Sequence, residues 1–195
     1  MFLLLIAPPA QVVQAPAASP VLDRLQELLE AVPEALIDGK PGTMRGLVAK
    51  AQRGWERAKP ELRQAMPEPE LIAVDRQLKA MRKMKPREQA VGALGLSSTL
   101  SRFQPRSRQQ DLLQADRTAM LAWCSVDAGS WELMPGVAGA FQPLLDQDAE
   151  RHPKAVAAAR EALKRFQESR DKRQGAAAKK ALQELLDLVD AFEKP

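Results

Sequence analysis

Ala90-Val-Gly-Ala-Leu-Gly-Leu-Ser-Ser-Thr-Leu100 carries no charge, and Gly92, Gly95, Ser97 and Ser98 keep it thin. A helix that is polar on no face belongs inside a bundle, where small residues let neighbours come close. The stretch therefore predicts a helix buried on every side. Gln104-Pro105-Arg106 breaks it. Ser107-Arg-Gln-Gln110 then has the spacing of a capping box, in which hydroxyl and amide satisfy each other's free backbone N–H groups. Leu112, Leu113, Ala119, Met120, Trp123 and Val126 follow on one helical face. This hairpin is the expected core of an all-α domain.

Towards the N-terminus, Ser19-Pro20 reads as an N-cap and first helical residue. Leu22, Leu25, Leu29, Val32 and Leu36 form an apolar stripe beyond it, interrupted by Pro33. Asp38-Gly-Lys-Pro-Gly42 is a turn, and Thr43 is placed to cap a helix bearing Leu47, Val48, Ala51 and Trp55. Pro60 should restart or kink that helix, because proline has no N–H to donate. A third helix is marked by Leu71, Val74, Leu78 and Met81. Towards the C-terminus, a helix starting at Ser130 would turn Trp131, Met134, Val137, Ala138, Phe141 and Leu145 inward. Pro153 opens another with Val156, Ala159, Leu163 and Phe166, and Gln174-Gly175 breaks it. A last helix carries Leu182, Leu185, Val189 and Phe192. The expected fold is an all-α antiparallel bundle of about seven or eight helices joined by short turns. Residues 19–195 read as one domain, with two halves meeting at the central hairpin as the alternative.

Composition agrees. Of 195 residues, 45% are hydrophobic, none is Tyr, and the rest is rich in residues that lose little freedom in a helix. The formal net charge of +4 is dispersed among acids and bases, which disfavours a dedicated nucleic-acid binder. One Cys excludes an internal disulfide and makes a cysteine-based zinc site implausible. Met1-Phe-Leu-Leu-Leu-Ile-Ala7 and the Ala/Pro-rich residues to 18 resemble the apolar and cleavage regions of a secretory signal peptide. No basic residue precedes the run, and Pro16 disfavours cleavage after Ala15. The run is too short to span a bilayer. Residues 1–18 are thus expected to be an export signal or a disordered tail.

Asp116 is the polar residue that stands out. It lies between Leu112 and Trp123 in the middle of the apolar face, beside Met120. An unpartnered carboxylate there would cost several kcal/mol, so it should be hydrogen-bonded or neutralised. Ser97, Ser98 and Ser101 are the expected donors, and Arg102 or Arg117 the expected charge. The plain reading is a polar network that fixes register; the sharper one is a ligand or cation site. Asp127 shares the face nearer the helix end.

Other motifs are weaker. Met120 with Cys124, and Met81 with Met84, have the spacing of soft sulfur pairs, but no His cluster or Met-rich run accompanies them, so no metal or other cofactor is expected. His152 is the lone histidine and sits in a polar stretch before a helix, without the partners a nucleophilic site needs. Gly39-Lys-Pro-Gly42 lacks the spacing and flanking strand of a phosphate loop. Arg76 to Arg87 holds six basic residues and no acid. Arg76, Lys79, Lys83 and Arg87 share a face that is either simply solvated or contacts an anionic surface, with no aromatic residue to stack on bases. The functional expectation is an exported binding or interaction module, not an enzyme, with its small-molecule or protein partner undefined. The alternative is a cytoplasmic basic protein on an anionic polymer or membrane. An enzyme using core carboxylates ranks third.

Overall fold

The computed structural model describes residues 20–193 apart from 64 and 106, and these form eight α-helices with no strand among them. They are α1 (Pro20–Ile37), α2 (Met44–Leu62), α3 (Glu68–Met81), α4 (Pro86–Ser101), α5 (Arg108–Asp127), α6 (Val137–Gln147), α7 (Pro153–Asp171) and α8 (Gly175–Glu193). The expected stripes lie inside: Leu22, Leu25, Leu29 and Val32 on α1, Leu71, Val74, Leu78 and Met81 on α3, and Leu182, Leu185, Val189 and Phe192 on α8 are all buried. Pro20 and Pro153 each begin a helix, where the missing N–H has no partner to lose. The suggested cap Ser19 and the signal-like segment lie outside the described residues.

Prolines inside helices prove less disruptive than the sequence suggests. Pro33 lies within α1 and Pro60 within α2, and both helices run on to their ends. Thr43 stands at the N-cap position of α2, but its side chain makes no capping hydrogen bond. It closes a 3-10 turn over Pro41–Thr43, and its hydroxyl donates to the Lys40 carbonyl at 2.9 Å. Ser130 likewise starts no α-helix, because Trp131–Leu133 forms a second 3-10 turn and α6 begins only at Val137. Ser107 does accept the Gln110 N–H at 3.3 Å, as a cap should. The reciprocal bond to the Ser107 N–H is not made, and the Gln110 amide nitrogen donates to Gln104.

The largest correction concerns which helix is central. Val91, Gly95 and Ser98 of α4 face solvent, so the uncharged stretch is one-sided and not enclosed. Close packing is confined to the other face. A Cβ on Gly92 would stand 3.2 Å from Met81 Cγ. The enclosed helix is α5, where Leu112, Ala115, Arg117, Thr118, Ala119, Met120, Ala122, Cys124 and Val126 are all buried. It serves two cores. One is built from α1 to α4, centred on Trp55, Leu29 and Leu78, and reaches Cys124 of α5. The other takes Leu112, Ala115, Ala119, Ala122 and Val126 of α5 together with α6, α7 and α8. The two cores therefore meet along α5.

Candidate functional site

The seam between the two cores is where polar chemistry collects. Three helices border a cleft of about 210 Å³: α1 contributes Glu30 and Glu34, α5 contributes Leu112, Leu113 and Asp116, and α8 contributes Val189 and Asp190. Helical spacing explains the arrangement. Glu30 and Glu34 are four residues apart and so share a face of α1, while Asp116 lies three and four residues after Leu113 and Leu112 and so neighbours each of them on α5.

Behind the cleft lies Arg117, almost wholly buried. Its Nε stands 3.1 Å from Glu30 Oε1, and its Nη1 donates to Ser101 Oγ at 2.8 Å and to the Ser97 carbonyl at 3.2 Å. Ser97 Oγ donates to Glu30 at 3.0 Å, and the buried Gln26 amide donates to the Ser97 carbonyl. One network thus ties α1, α4 and α5 together. Arg117 Nη2 finds no hydrogen-bond acceptor among the described residues.

This network differs from the one expected around Asp116. Ser97 and Ser101 are in it, but they serve Glu30 and Arg117. Ser101 also donates to the Ser98 carbonyl, and Ser98 and Arg102 face solvent. Asp116 is only partly buried and accepts no hydrogen bond from the described residues; its carboxylate faces the cleft. Sequence reasoning missed Glu30, Glu34 and Asp190 because each sits beside an apolar stripe as an ordinary surface acid would. Only the meeting of three helices makes them neighbours.

The electrostatics follow from the placement. Burial pushes the Glu30 carboxyl up to about 7, against the opposing pull of Arg117 and the Ser97 hydrogen bond; Glu34 and Glu27 push the same way as burial. Glu34 is raised by partial desolvation and by Asp38 and Asp190. Asp116 is held well above the usual carboxylate range by desolvation and by the fields of Glu30, Glu34 and Asp190; Arg117 opposes this. Four carboxylates therefore depend on one guanidinium that is already committed to Glu30.

Other polar clusters have structural tasks. Asp148, fully enclosed, receives both of its contacts from Arg108 Nη2 at 3.0 and 3.2 Å, and the same nitrogen donates to the Phe192 carbonyl. That pins the start of α5 to the ends of α6 and α8. Asp127 binds Arg87 of α4 at 2.6 Å and Lys179 of α8, whose ammonium also lies 4.2 Å over the Trp123 ring. The expected basic face is accordingly incomplete. All four of its members are exposed, but Lys79 pairs with Asp75 at 2.7 Å and Arg87 with Asp127, which leaves Arg76 and Lys83. Cys124 is buried, which pushes its thiol up to about 12. His152 precedes α7 with its ring edge-on to Phe192 at 6.3 Å. Among the described residues no helix is long and apolar enough to cross a membrane.

No protein-family model matches this chain, and neither a curated protein nor a solved structure matches it. Its functional reading therefore rests on its own residues.

Proposed function

We propose that the protein is an exported binding module and not an enzyme, and that its ligand or partner meets the seam cleft with a positively charged organic group. The observation that carries this reading is the charge imbalance within the cleft. Glu30, Glu34, Asp116 and Asp190 line it, while Arg117 is spent on Glu30 and the α4 backbone. An ammonium or guanidinium entering there gains Coulomb energy in a partly desolvated space and stabilises the folded protein by mass action. An organic cation suits the cleft better than a metal ion. No group of three or more His, Cys, Asp or Glu side chains among the described residues is arranged to hold one.

A non-catalytic role is supported by what surrounds the cleft. The Cys124 thiol is buried and held protonated, and a nucleophile needs the thiolate. His152 precedes α7 with its ring against Phe192 and is not among the residues that line the cleft. Export is supported by the apolar and Ala/Pro-rich composition of residues 1–18 alone. The competing reading, an anionic surface gripped by the Arg76–Arg87 stretch, loses support because Asp75 and Asp127 neutralise half of the proposed face.

Thermal unfolding near neutral pH with agmatine and spermidine as probes tests the cleft. A saturable rise in Tm for the wild type, absent in Asp116→Leu, is the expected result. No response, or an equal response in both proteins, would refute it. N-terminal sequencing after expression in a secreting host tests export, with cleavage between Ala15 and Ala18 expected and an intact terminus counting against it.

A further inference from the structure

We propose that the groove between the Pro41–Thr43 turn and the α3–α4 connection is an oxyanion site, which takes a phosphate monoester on Arg45, Lys83 and Lys85. The three cations come from separate places, the first turn of α2 and the linker before α4, and line one open groove of about 460 Å³. No acidic residue lines it. This sets the trio apart from the neighbouring cations. Lys59 and Lys79 share Asp75, and Arg87 holds Asp127, whereas the side chains of Arg45, Lys83 and Lys85 have no acidic partner among the described residues. Like charges gathered without a counter-charge repel one another, and a dianion between them removes that repulsion while adding charge-assisted hydrogen bonds.

The division of labour follows from the side chains. Arg45 offers a planar fork that matches two phosphate oxygens, and the two lysines act as mobile point charges. The first turns of α2 and α4 border the groove, so their amide dipoles add to its field. Glu88 takes back part of this at α4, since its carboxylate accepts the Lys85 N–H at 2.9 Å. Gln89 steadies the wall; it is buried, and its amide donates to the Met81 carbonyl at 3.0 Å. The space exceeds what a bare phosphate fills, and Pro41, Met84 and Pro86 supply apolar surface for an organic portion. The Gly39–Gly42 turn thus borders an anion groove without being a phosphate loop. This inference is independent of the cleft reading.

Amide chemical shifts of the full chain, titrated with inorganic phosphate and then glycerol 3-phosphate at low ionic strength, test it. Saturable shifts centred on Gly42, Arg45, Lys85 and Gln89 are expected, tighter for the ester. They should weaken about tenfold or more in Arg45→Gln/Lys83→Gln/Lys85→Gln, and weaken as salt is raised. Arg76→Gln/Arg82→Gln should leave them unchanged. Shifts scattered over all basic surfaces, or unaltered in the triple variant, would overturn the site, as would no response. Vesicles bearing phosphatidic acid decide the source. Sedimentation of the wild type but not the triple variant assigns a lipid headgroup, and its absence beside glycerol 3-phosphate binding assigns a soluble ester.

Discussion

Arg117 and Asp116 are consecutive residues with opposite consequences for stability. Arg117 is enclosed and holds Glu30 together with the Ser97 and Ser101 acceptors, so removing it strands a buried carboxylate. Arg117→Met is expected to cost about 3–5 kcal/mol in urea unfolding, the usual result of breaking one side of a buried pair. Adding Glu30→Leu to that variant should recover most of the loss, because no buried charge is then left uncompensated. Asp116 satisfies no donor, and desolvation with the fields of Glu30, Glu34 and Asp190 outweighs the pull of Arg117 on it. Asp116→Leu should therefore stabilise the protein at neutral pH by about 1–3 kcal/mol, the scale of relieving an unpaired polar group, as binding residues often do when removed.

At the scale of elements, three connections close with a residue in the left-handed region after the preceding helix. Gly39 (φ 70°) does so after α1 and Gly129 (φ 71°) after α5, and both are suited to it because they lack a Cβ. After α7 the position is taken by Arg173 at φ 51°, whose charge pairs, among the described residues, with the exposed Glu132. Arg173→Gly should raise stability by about 0.5–1 kcal/mol, since it removes the Cβ strain and forfeits a weak surface pair. Thermal unfolding checks it.

The helices themselves were legible because each buries a stripe at helical spacing; Leu71, Val74, Leu78 and Met81 carried α3 unaided. What local patterns could not give was the partner of each face. α4 looked enclosed because its uncharged stretch is polar on no face and thinned by Gly92, Gly95, Ser97 and Ser98, although Val91 and Gly95 are open to solvent. α5 looked one-sided although it is the helix that both cores share. The same limit hid the cleft. Asp116 was visible on its own helix, but Glu30 and Asp190 lie 86 positions before and 74 after it in sequence.

For the whole molecule, the two cores are joined by charged and polar groups along α5, so the seam should govern how stability varies with pH. Glu30 is raised from 4.5 to about 7 in the folded state. A raised acid contributes stability that is complete below its unfolded pKa and is lost as pH rises through the folded value. Glu34 and Asp116 act in the same direction. Asp75 and Asp127 act in the opposite one. Asp75 is lowered chiefly by its hydrogen bond from Lys79; for Asp127, burial pushes up, but Lys179 and Arg87 outweigh it. Their contributions are present above the ordinary aspartate range and lost as pH falls through their depressed values. The midpoint of thermal unfolding should therefore peak on the mildly acidic side, at about pH 5, and decline towards pH 8.

The pH dependence of the difference between wild type and Asp116→Leu tests the seam most directly. Unfolding midpoints of the two proteins, measured side by side from about pH 4.5 to about pH 8, isolate the ionisation of this one carboxylate in its setting. The account predicts that the difference is smallest at the acid end, where protonation of Asp116 is most favoured. It should widen to several degrees in favour of Asp116→Leu as pH rises, with the wild type losing stability and the variant losing less. A difference that stays constant across the range, or a variant less stable than wild type at pH 8, would contradict a seam held together against the repulsion of its own carboxylates.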